Sequence, residues 1–338
     1  MSGILGVTGG TGYIAGFVIA ELLNHGYMVR ASVRSLSKIE ALKKDLSAYV
    51  NEEALPRLSV FEADLTSPEG WADGFSGTDG VIHVASPLGH GTESAEELQR
   101  IAEGGTLHVL QGALDAGVKR IVMTSSQAAS TPRKSVGNVV LDEMFWSDEH
   151  NPELDPYRLS KIASEKAAWA FSEKHGLELT TILPGAVFGP VMGSRNISSN
   201  SILLGLINGG IPRALNIPLE VSDVRDLAAL HRLAFENGNA IGERFLAASQ
   251  IIHMPEVARI YREHYPNSKA PAKVFPNWMV RLLSKFTPSL RSMVPMLNRE
   301  YSHTTRKAER LLGWAQHSPR ETVLDAAASF DRLGMIKS

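Results

Sequence analysis

The stretch ILGVTGGTGYIA (residues 4–15) joins a short apolar run to a glycine-rich turn and then opens an amphipathic segment. A strand that passes through such a turn into a helix presents the helix N-terminus, with its N–H donors and positive dipole, to an anion. Glycine is needed because one position makes the tight turn and another lets the backbone approach a pyrophosphate. Glycine-rich turns also serve as plain loops in many folds, so placement decides the reading. Here the turn lies between the first strand and the first helix. Gly9, Thr11, Gly12, Tyr13 and Ile14 are therefore the expected contacts of a dinucleotide.

Outward from this turn the chain alternates short apolar runs with longer amphipathic ones. Residues 4–8, 28–33, 58–62, 80–84, 120–124 and 178–183 read as strands, and their near-continuous β-branched character suits burial on both faces. Residues 13–25, 37–49, 95–116 and 157–175 read as the helices between them. Right-handed crossovers then give an α/β fold with a doubly wound parallel sheet. After Pro184 the rhythm breaks into a long loop marked by Gly185, Gly189, Pro190, Gly193 and the Ser/Asn-rich run 194–201. Residues 219–235 and 244–248 are expected to return to the main sheet. Helices near 256–264, 278–285, 305–312 and 320–333 would build a smaller mixed C-terminal lobe. The expected division is thus 1–185, with 219–248 rejoining it, and the remainder of 186–338 as a substrate lobe.

The 338 residues are 43% hydrophobic and 21% charged, ordinary for a globular chain with a real core. A formal net charge of −2 argues against a dedicated nucleic-acid binder. No run of about 18 apolar residues suggests a membrane span. No signal peptide is expected, because the first apolar run leads directly into the glycine turn. Cysteine is absent, which rules out disulfides, thiolate metal sites and cysteine nucleophiles. No metal site is expected, and the composition fits a reducing cytoplasm.

The end of the second strand bears on the cofactor. An NAD site usually carries an acid there for the ribose 2′-hydroxyl, whereas a 2′-phosphate needs cationic donors. The sequence reads Ser32-Val33-Arg34-Ser35-Leu36-Ser37-Lys38, without Asp or Glu. Arg34 and Lys38 can be plain solvated charges, but with the acid missing they favour NADP(H). Asp64 and Leu65 follow the third strand and Val84, Ala85 and Ser86 the fourth, at the carboxyl edge where ligands bind. Position alone leaves each of these open between cofactor contact and turn chemistry. His83, inside the fourth strand, reads as a packed histidine.

Tyr157-Arg-Leu-Ser-Lys161 puts a phenol and an ammonium one turn apart on one helix face. A free tyrosine titrates near 10, and lowering such a pKa by ~3 units takes roughly 4 kcal/mol of differential interaction. A neighbouring ammonium in a partly dry cleft is one source of it. Spacing alone proves little, since Tyr265 and Lys269 repeat it. Pro266 breaks that second pair away from a helix, whereas Tyr157 opens the long helix between the fifth and sixth strands. The fifth strand ends in Thr124-Ser125-Ser126, where a hydroxyl can hold a carbonyl oxygen beside Tyr157.

These stretches together resemble the extended short-chain dehydrogenase/reductase family. The similarity is strongest to its dihydroflavonol reductase, cinnamoyl-CoA reductase and yeast-type aldehyde reductase branch. It is carried by TGGTGYIA (8–15), VRASVRS (29–35), ADL (63–65), HVASP (83–87), GGTLHVLQGALDAGVKRIVMTSS (104–126), DEMFWSDEH (142–150), YRLSK (157–161) and LPGAVFGP (183–190). SDVRDLAALH (222–231) and KAERLLGW (307–314) match more weakly. The resemblance covers most of the chain, densely up to Pro190.

The resemblance implies a Rossmann domain and hydride transfer from NADPH to a small carbonyl substrate. Ser126 would orient the substrate, with Ser125 the alternative. Tyr157 would donate the proton, and Lys161 would support the tyrosine and bind the nicotinamide ribose. Pro184 and Val187 would flank the nicotinamide, Ser199 would reach the phosphates, and Arg34 and Lys38 would hold the 2′-phosphate. Family members occur as monomers and dimers, so a homodimer is one of two expected states. Three departures bear on substrate. Leu154-Asp155-Pro156 precedes the tyrosine where the cinnamoyl-CoA branch has Asn-Trp-Tyr-Cys around it. Arg100-Ile101-Ala102-Glu103 lacks the family's proline. The loop 88–93, expected to roof the substrate, is short and glycine-rich. A simple aldehyde or ketone is expected in place of a flavonoid or CoA thioester. The rival readings are a nucleotide-sugar epimerase or dehydratase with tightly bound NAD, which Arg34 argues against, and a non-catalytic NADP sensor, which the Tyr/Lys pair argues against.

Overall fold

A computed structural model describes residues 3–87, 94–287, 290 and 293–337. In chain order the strands are β1 (Ile4–Val7), β2 (Met28–Val33), β3 (Leu58–Glu62), β4 (Gly80–His83), β5 (Arg120–Thr124), β6 (Val140–Leu141), β7 (Glu178–Leu183), β8 (Ala186–Phe188), β9 (Pro218–Asp223), β10 (Arg244–Leu246), β11 (Ile251–His253) and β12 (Ser302–His303). Seven of them form one parallel sheet in the order β10-β7-β5-β4-β1-β2-β3. The sequence runs one way from β1 through β2 to β3 and the other way from β4 outward. The crossovers therefore diverge between β1 and β4, and a crevice opens at their carboxyl ends.

The helices that matter for the site are α1 (Tyr13–Asn24), α2 (Ile39–Leu46), α3 (Trp71–Phe75), α4 (Ala95–Asp115), α5 (Pro156–His175), α6 (Asn200–Ile207), α7 (Val224–Glu236) and α8 (Met254–His264). On one face of the sheet α3, α4 and α5 cover a cluster around Trp71, Phe75, Leu110 and Ala168. On the other, α1 packs against α7 over a larger cluster that continues into the C-terminal lobe. With both faces covered, β4 and β5 are buried at every residue, which explains their unbroken apolar runs.

Residue 157 was the expected start of α5, but the helix begins one residue earlier. Asp155 accepts the Arg158 N–H at 2.8 Å as N-cap, and Pro156 occupies the first helical position, where no N–H is needed. Within the stretch 219–248, β10 pairs with β7 in the main sheet and α7 lies on α1. β9 instead joins β8 and β11 in a second, mixed sheet. Hydrogen bonds pull it there: Gly185 N–H donates to Ser222 Oγ at 3.0 Å and Val221 N–H to the Gln250 carbonyl at 3.0 Å. The long loop expected after Pro184 contains β8 and leads into α6. β6 and β12 pair as a small ribbon between the two halves of the chain. The loop 88–93 lies outside the described residues.

Two glycines on α4 make a matched test of the packing. A Cβ at Gly112 would lie 2.3 Å from the Cβ of Trp71, whereas one at Gly104 meets nothing within 4 Å. Alanine raises helix propensity by about 0.5–1 kcal/mol at either position. At Gly112 the clash is with a backbone-proximal atom that no rotamer change relieves, and overpacking of that kind costs about 1–3 kcal/mol. Chemical denaturation should show Gly104→Ala more stable than the parent and Gly112→Ala less stable. A neutral or stabilising Gly112→Ala would show that α3 and α4 are not packed this closely.

Candidate active site

The turn from β1 to α1 is shaped by close approach. Gly9 adopts left-handed backbone at φ 71°, its N–H donates to Ser32 Oγ on β2 at 2.9 Å, and a Cβ there would sit 3.0 Å from that of Ala85. Gly12 caps α1 in extended backbone with no capping side chain, and the first turn of α1 carries no acid. The helix N-terminus is thus open to an acceptor from outside. Tyr13 offers only its backbone to the turn. Its ring stacks edge-on against Phe17, its hydroxyl donates to the Pro190 carbonyl at 3.1 Å, and burial pushes the phenol well above its ordinary value. Ile14 is half-buried against the core, and Thr11 is exposed. The Thr11 carbonyl accepts from Asn196 Nδ2 at 2.7 Å, which ties the loop before α6 to the turn.

Beneath the turn, Thr8 links β1 to the end of β4. Its Oγ1 accepts the N–H groups of Val84 (3.0 Å) and Ala85 (2.9 Å), so its own proton goes to His83 Nδ1 at 2.9 Å. His83 is fully buried. Burial, helped by the Lys161 charge, pulls its pKa down to about 3, so it stays neutral and structural.

Arg34 and Lys38 stand exposed at the end of β2 and in the turn after it, and neither joins an ion pair among the described residues. Asp64 folds back on Thr66, accepting its hydroxyl at 2.7 Å and its N–H at 2.8 Å. Those bonds, with a smaller contribution from Arg34, hold its carboxyl below the usual range. The Leu65 carbonyl accepts from His108 Nδ1 at 2.9 Å, which pins that residue under α4.

Tyr157 occupies the second position of α5 and is 37% exposed, while Lys161, one turn on, is buried. The Lys161 ammonium lies 5.6 Å from the Tyr157 ring centroid and donates to Ser86 Oγ at 2.7 Å. Ser86, Tyr157 and Lys161 are thereby brought together at the carboxyl edge of β4. The two serines after β5 face different ways. Ser125 is buried and donates to Glu165 Oε2 at 2.7 Å, whereas Ser126 is half-buried and its Oγ accepts the Ala128 N–H at 3.1 Å. Pro184 is buried, its carbonyl taking the Gln127 N–H at 2.9 Å. Ser199, beside the left-handed Ser198 (φ 46°), donates to the Val187 carbonyl. Tyr265 falls outside its helix, as C-cap of α8, so the second Tyr/Lys spacing forms no helical pair.

Three residues at the site have no counterpart in the sequence reading: Ser32, Asn196 and Glu165. The available signal was for Glu165. It lies four residues after Lys161, and a charge on the inner face of a helix needs a partner.

Comparison with known proteins bears on the family and the fold. A family model described as the NAD dependent epimerase/dehydratase family matches residues 5–248. Noscapine synthase SDR1 of Papaver somniferum is 36% identical over 281 residues, covering 79% of this chain and 80% of its own. Cinnamoyl-CoA reductase 1 of Oryza sativa subsp. japonica is 36% identical over 272 residues, covering 79% and 77%. Among solved structures, yeast methylglyoxal/isovaleraldehyde reductase Gre2 complexed with NADPH superposes with a TM-score of 0.79 at 25% identity, over 98% of this chain and 100% of that one.

The buried histidines make acid stability a test of this packing. His83 and His231 are both held neutral, with pKa values pulled down by burial to about 3 and about 4. The unfolded chain binds those protons near pH 6.5 and the folded one does not, so stability is full above about 6.5 and is lost as pH falls toward 4. At pH 5 the deficit is about 2 kcal/mol per histidine. Glu143 and Asp226, shifted up by burial, oppose it in part. Denaturation midpoints between about pH 7 and pH 5 should fall in the parent and fall less steeply in His231→Gln. Identical slopes would show that His231 accepts a proton in the fold.

Proposed function

Because the chain belongs to the NAD dependent epimerase/dehydratase family, as an extended short-chain dehydrogenase/reductase, we propose that it is an NADPH-dependent reductase of a small aldehyde or ketone. The observation that carries this reading is the Lys161 ammonium, buried beside the Tyr157 ring and anchored to Ser86 at the mouth of the β1/β4 crevice. The residues fit a dinucleotide. Gly9 leaves a cradle that a Cβ would narrow against Ala85, the α1 N-terminus carries no side-chain cap, and Arg34 and Lys38 offer exposed cations, in no ion pair among the described residues, where a 2′-phosphate would lie. The missing acid at the end of β2 and the reductase names of the Oryza sativa relative and of the yeast structure both favour this over an epimerase.

When bound, the dihydronicotinamide supplies the hydride that reaches the carbonyl carbon. The chain's own groups handle the oxygen. The Ser126 hydroxyl holds the carbonyl oxygen beside Tyr157, and the Tyr157 hydroxyl gives it a proton as the C=O bond becomes an alcohol. The phenolate left behind is stabilised by the Lys161 ammonium, whose position is fixed by Ser86. Pro184 and Val187 would flank the ring, Ser199 would reach the phosphates once released from the Val187 carbonyl, and Asp64 and Leu65 would border the adenine end.

Following NADPH absorbance with a panel of simple aldehydes and ketones tests the assignment. Tyr157→Phe should lose about 10²–10⁴-fold in kcat. Ser126→Ala should lose turnover with little change in melting temperature. Ser125→Ala should mainly lose stability, by about 1.5–3 kcal/mol, because it strips a bond from a buried carboxylate. Binding of NADPH without turnover across the panel would refute the reductase.

Arg34 tests the cofactor. A charge-assisted bond to the 2′-phosphate is worth about 1.5–3 kcal/mol, so Arg34→Ala should weaken NADPH binding by about ten- to a hundredfold. The KM for NADH should move little. Equal losses for both cofactors would show that Arg34 does not read the phosphate.

A further inference from the structure

A cavity of about 320 Å³ lies against the N-terminal turn of α5. Two of its walls are neighbours along the chain of the proposed catalytic residues: 131–137, which follows Ser126, and 151–154 with Arg158, on either side of Tyr157. The C-terminal lobe closes it with Arg281 and segment 294–301. Leu154, Met296 and Tyr301 give it an apolar side, and Arg158, Arg281 and Arg299 a cationic one.

The arginines are held from behind. Arg158 is paired with the helix cap Asp155, and Arg299 donates to Glu220 at 3.0 Å while lying 4.9 Å over the Tyr301 ring. In both, the guanidinium Nε is buried without a hydrogen-bond partner. Arg281 is exposed and joins no ion pair among the described residues. The far wall is fixed to the Ser126 segment. Glu220 also accepts the His303 N–H at 2.7 Å and bonds His303 Nδ1 at 2.8 Å, and His303 Nε2 donates to the Ser130 carbonyl at 2.9 Å. Asn298, on the same wall, is held in left-handed backbone at φ 54°, uncommon for a residue with a Cβ.

We propose that this cavity receives an anionic group, a carboxylate or a phosphate, at the end of the substrate remote from its carbonyl. The proposal rests on the reductase reading above. Guanidinium groups fixed by carboxylates behind them are preorganised cations whose planar terminal donors match the oxygens of either anion. The apolar side accepts the carbon framework that joins that anion to the carbonyl.

The experiment compares matched substrates with NADPH: 4-formylbenzoate against its neutral methyl ester, and glyceraldehyde 3-phosphate against glyceraldehyde. At least one anionic member should be preferred by about tenfold or more in kcat/KM, as one charge-assisted hydrogen bond allows. The better pair identifies carboxylate or phosphate. Arg281→Gln and Arg299→Met should each lower that preference through KM, and Arg281→Lys should retain most of it. No preference in the parent, or a preference that survives both substitutions, overturns the subsite while leaving the reductase standing. If no carbonyl in either pair is reduced, the wider panel decides the reductase reading, and calorimetry with benzoate and inorganic phosphate decides the cavity alone. Binding that is lost in Arg281→Gln supports an anion site, and no binding, or equal binding in both proteins, overturns it.

Discussion

One buried carboxylate fixes the geometry on which the rest of the site depends. Glu165 has no solvent exposure, and it takes a hydrogen bond from Ser125 at the end of β5 (2.7 Å), one from Thr181 on β7 (2.8 Å) and an ion pair from Arg244 on β10 (2.9 Å). Three adjacent strands are therefore tied to one point on α5. An uncompensated charge at that depth costs several kcal/mol, so the carboxylate is tolerated there only because these partners surround it. Arg244 in turn donates to the carbonyls of Glu143 and Phe145 and stacks 3.6 Å over the Trp146 ring. The segment before α5 is thus held to the same point.

The consequence for chemistry is positional. Lys161 and Glu165 are one turn apart on the inner face of α5, and Tyr157 is one turn before Lys161. Anchoring Glu165 against the sheet sets the height and rotation of the helix, and with them the place of the phenol and ammonium relative to Ser126. The two adjacent serines differ in the same way: the buried carboxylate claims Ser125, and Ser126 is left half-buried with its Oγ on the Ala128 N–H.

What could be read from the sequence follows the range of the interaction. The glycine turn, the six apolar strands before Pro184 and the Tyr157/Lys161 spacing are local features, set by backbone sterics and helical periodicity, and they stand in the structure within a residue or two. Ser32 and Asn196 were not legible, and of Glu165 only the need for some partner was. Each acts through a partner 16 to 185 positions away, and nothing near them in the chain says which residue that is. The fate of β9 was hidden for the same reason. A fully buried strand shows no alternation, so its sequence does not say which sheet receives it.

The same logic separates the two ends of the crevice. The nucleotide end is built from backbone N–H groups and glycine, whose requirements are written in a dozen consecutive residues. The cavity beside the first turn of α5 is built from side chains of three segments that meet only in the fold. Its arginines look like ordinary surface charges in the sequence, as Arg34 and Lys38 also do. What distinguishes Arg158 and Arg299 is that each is held by a carboxylate while one donor stays buried and unused. That property belongs to the packing of the C-terminal lobe against the Ser126 and Tyr157 segments. Family resemblance is dense up to Pro190 and thin beyond it, so the part of the chain that shapes the substrate end is the part that resemblance describes least. If the proposed subsite holds, specificity lies in the packing of residues 294–303 on the main sheet and its helices and not in the motifs of the nucleotide turn.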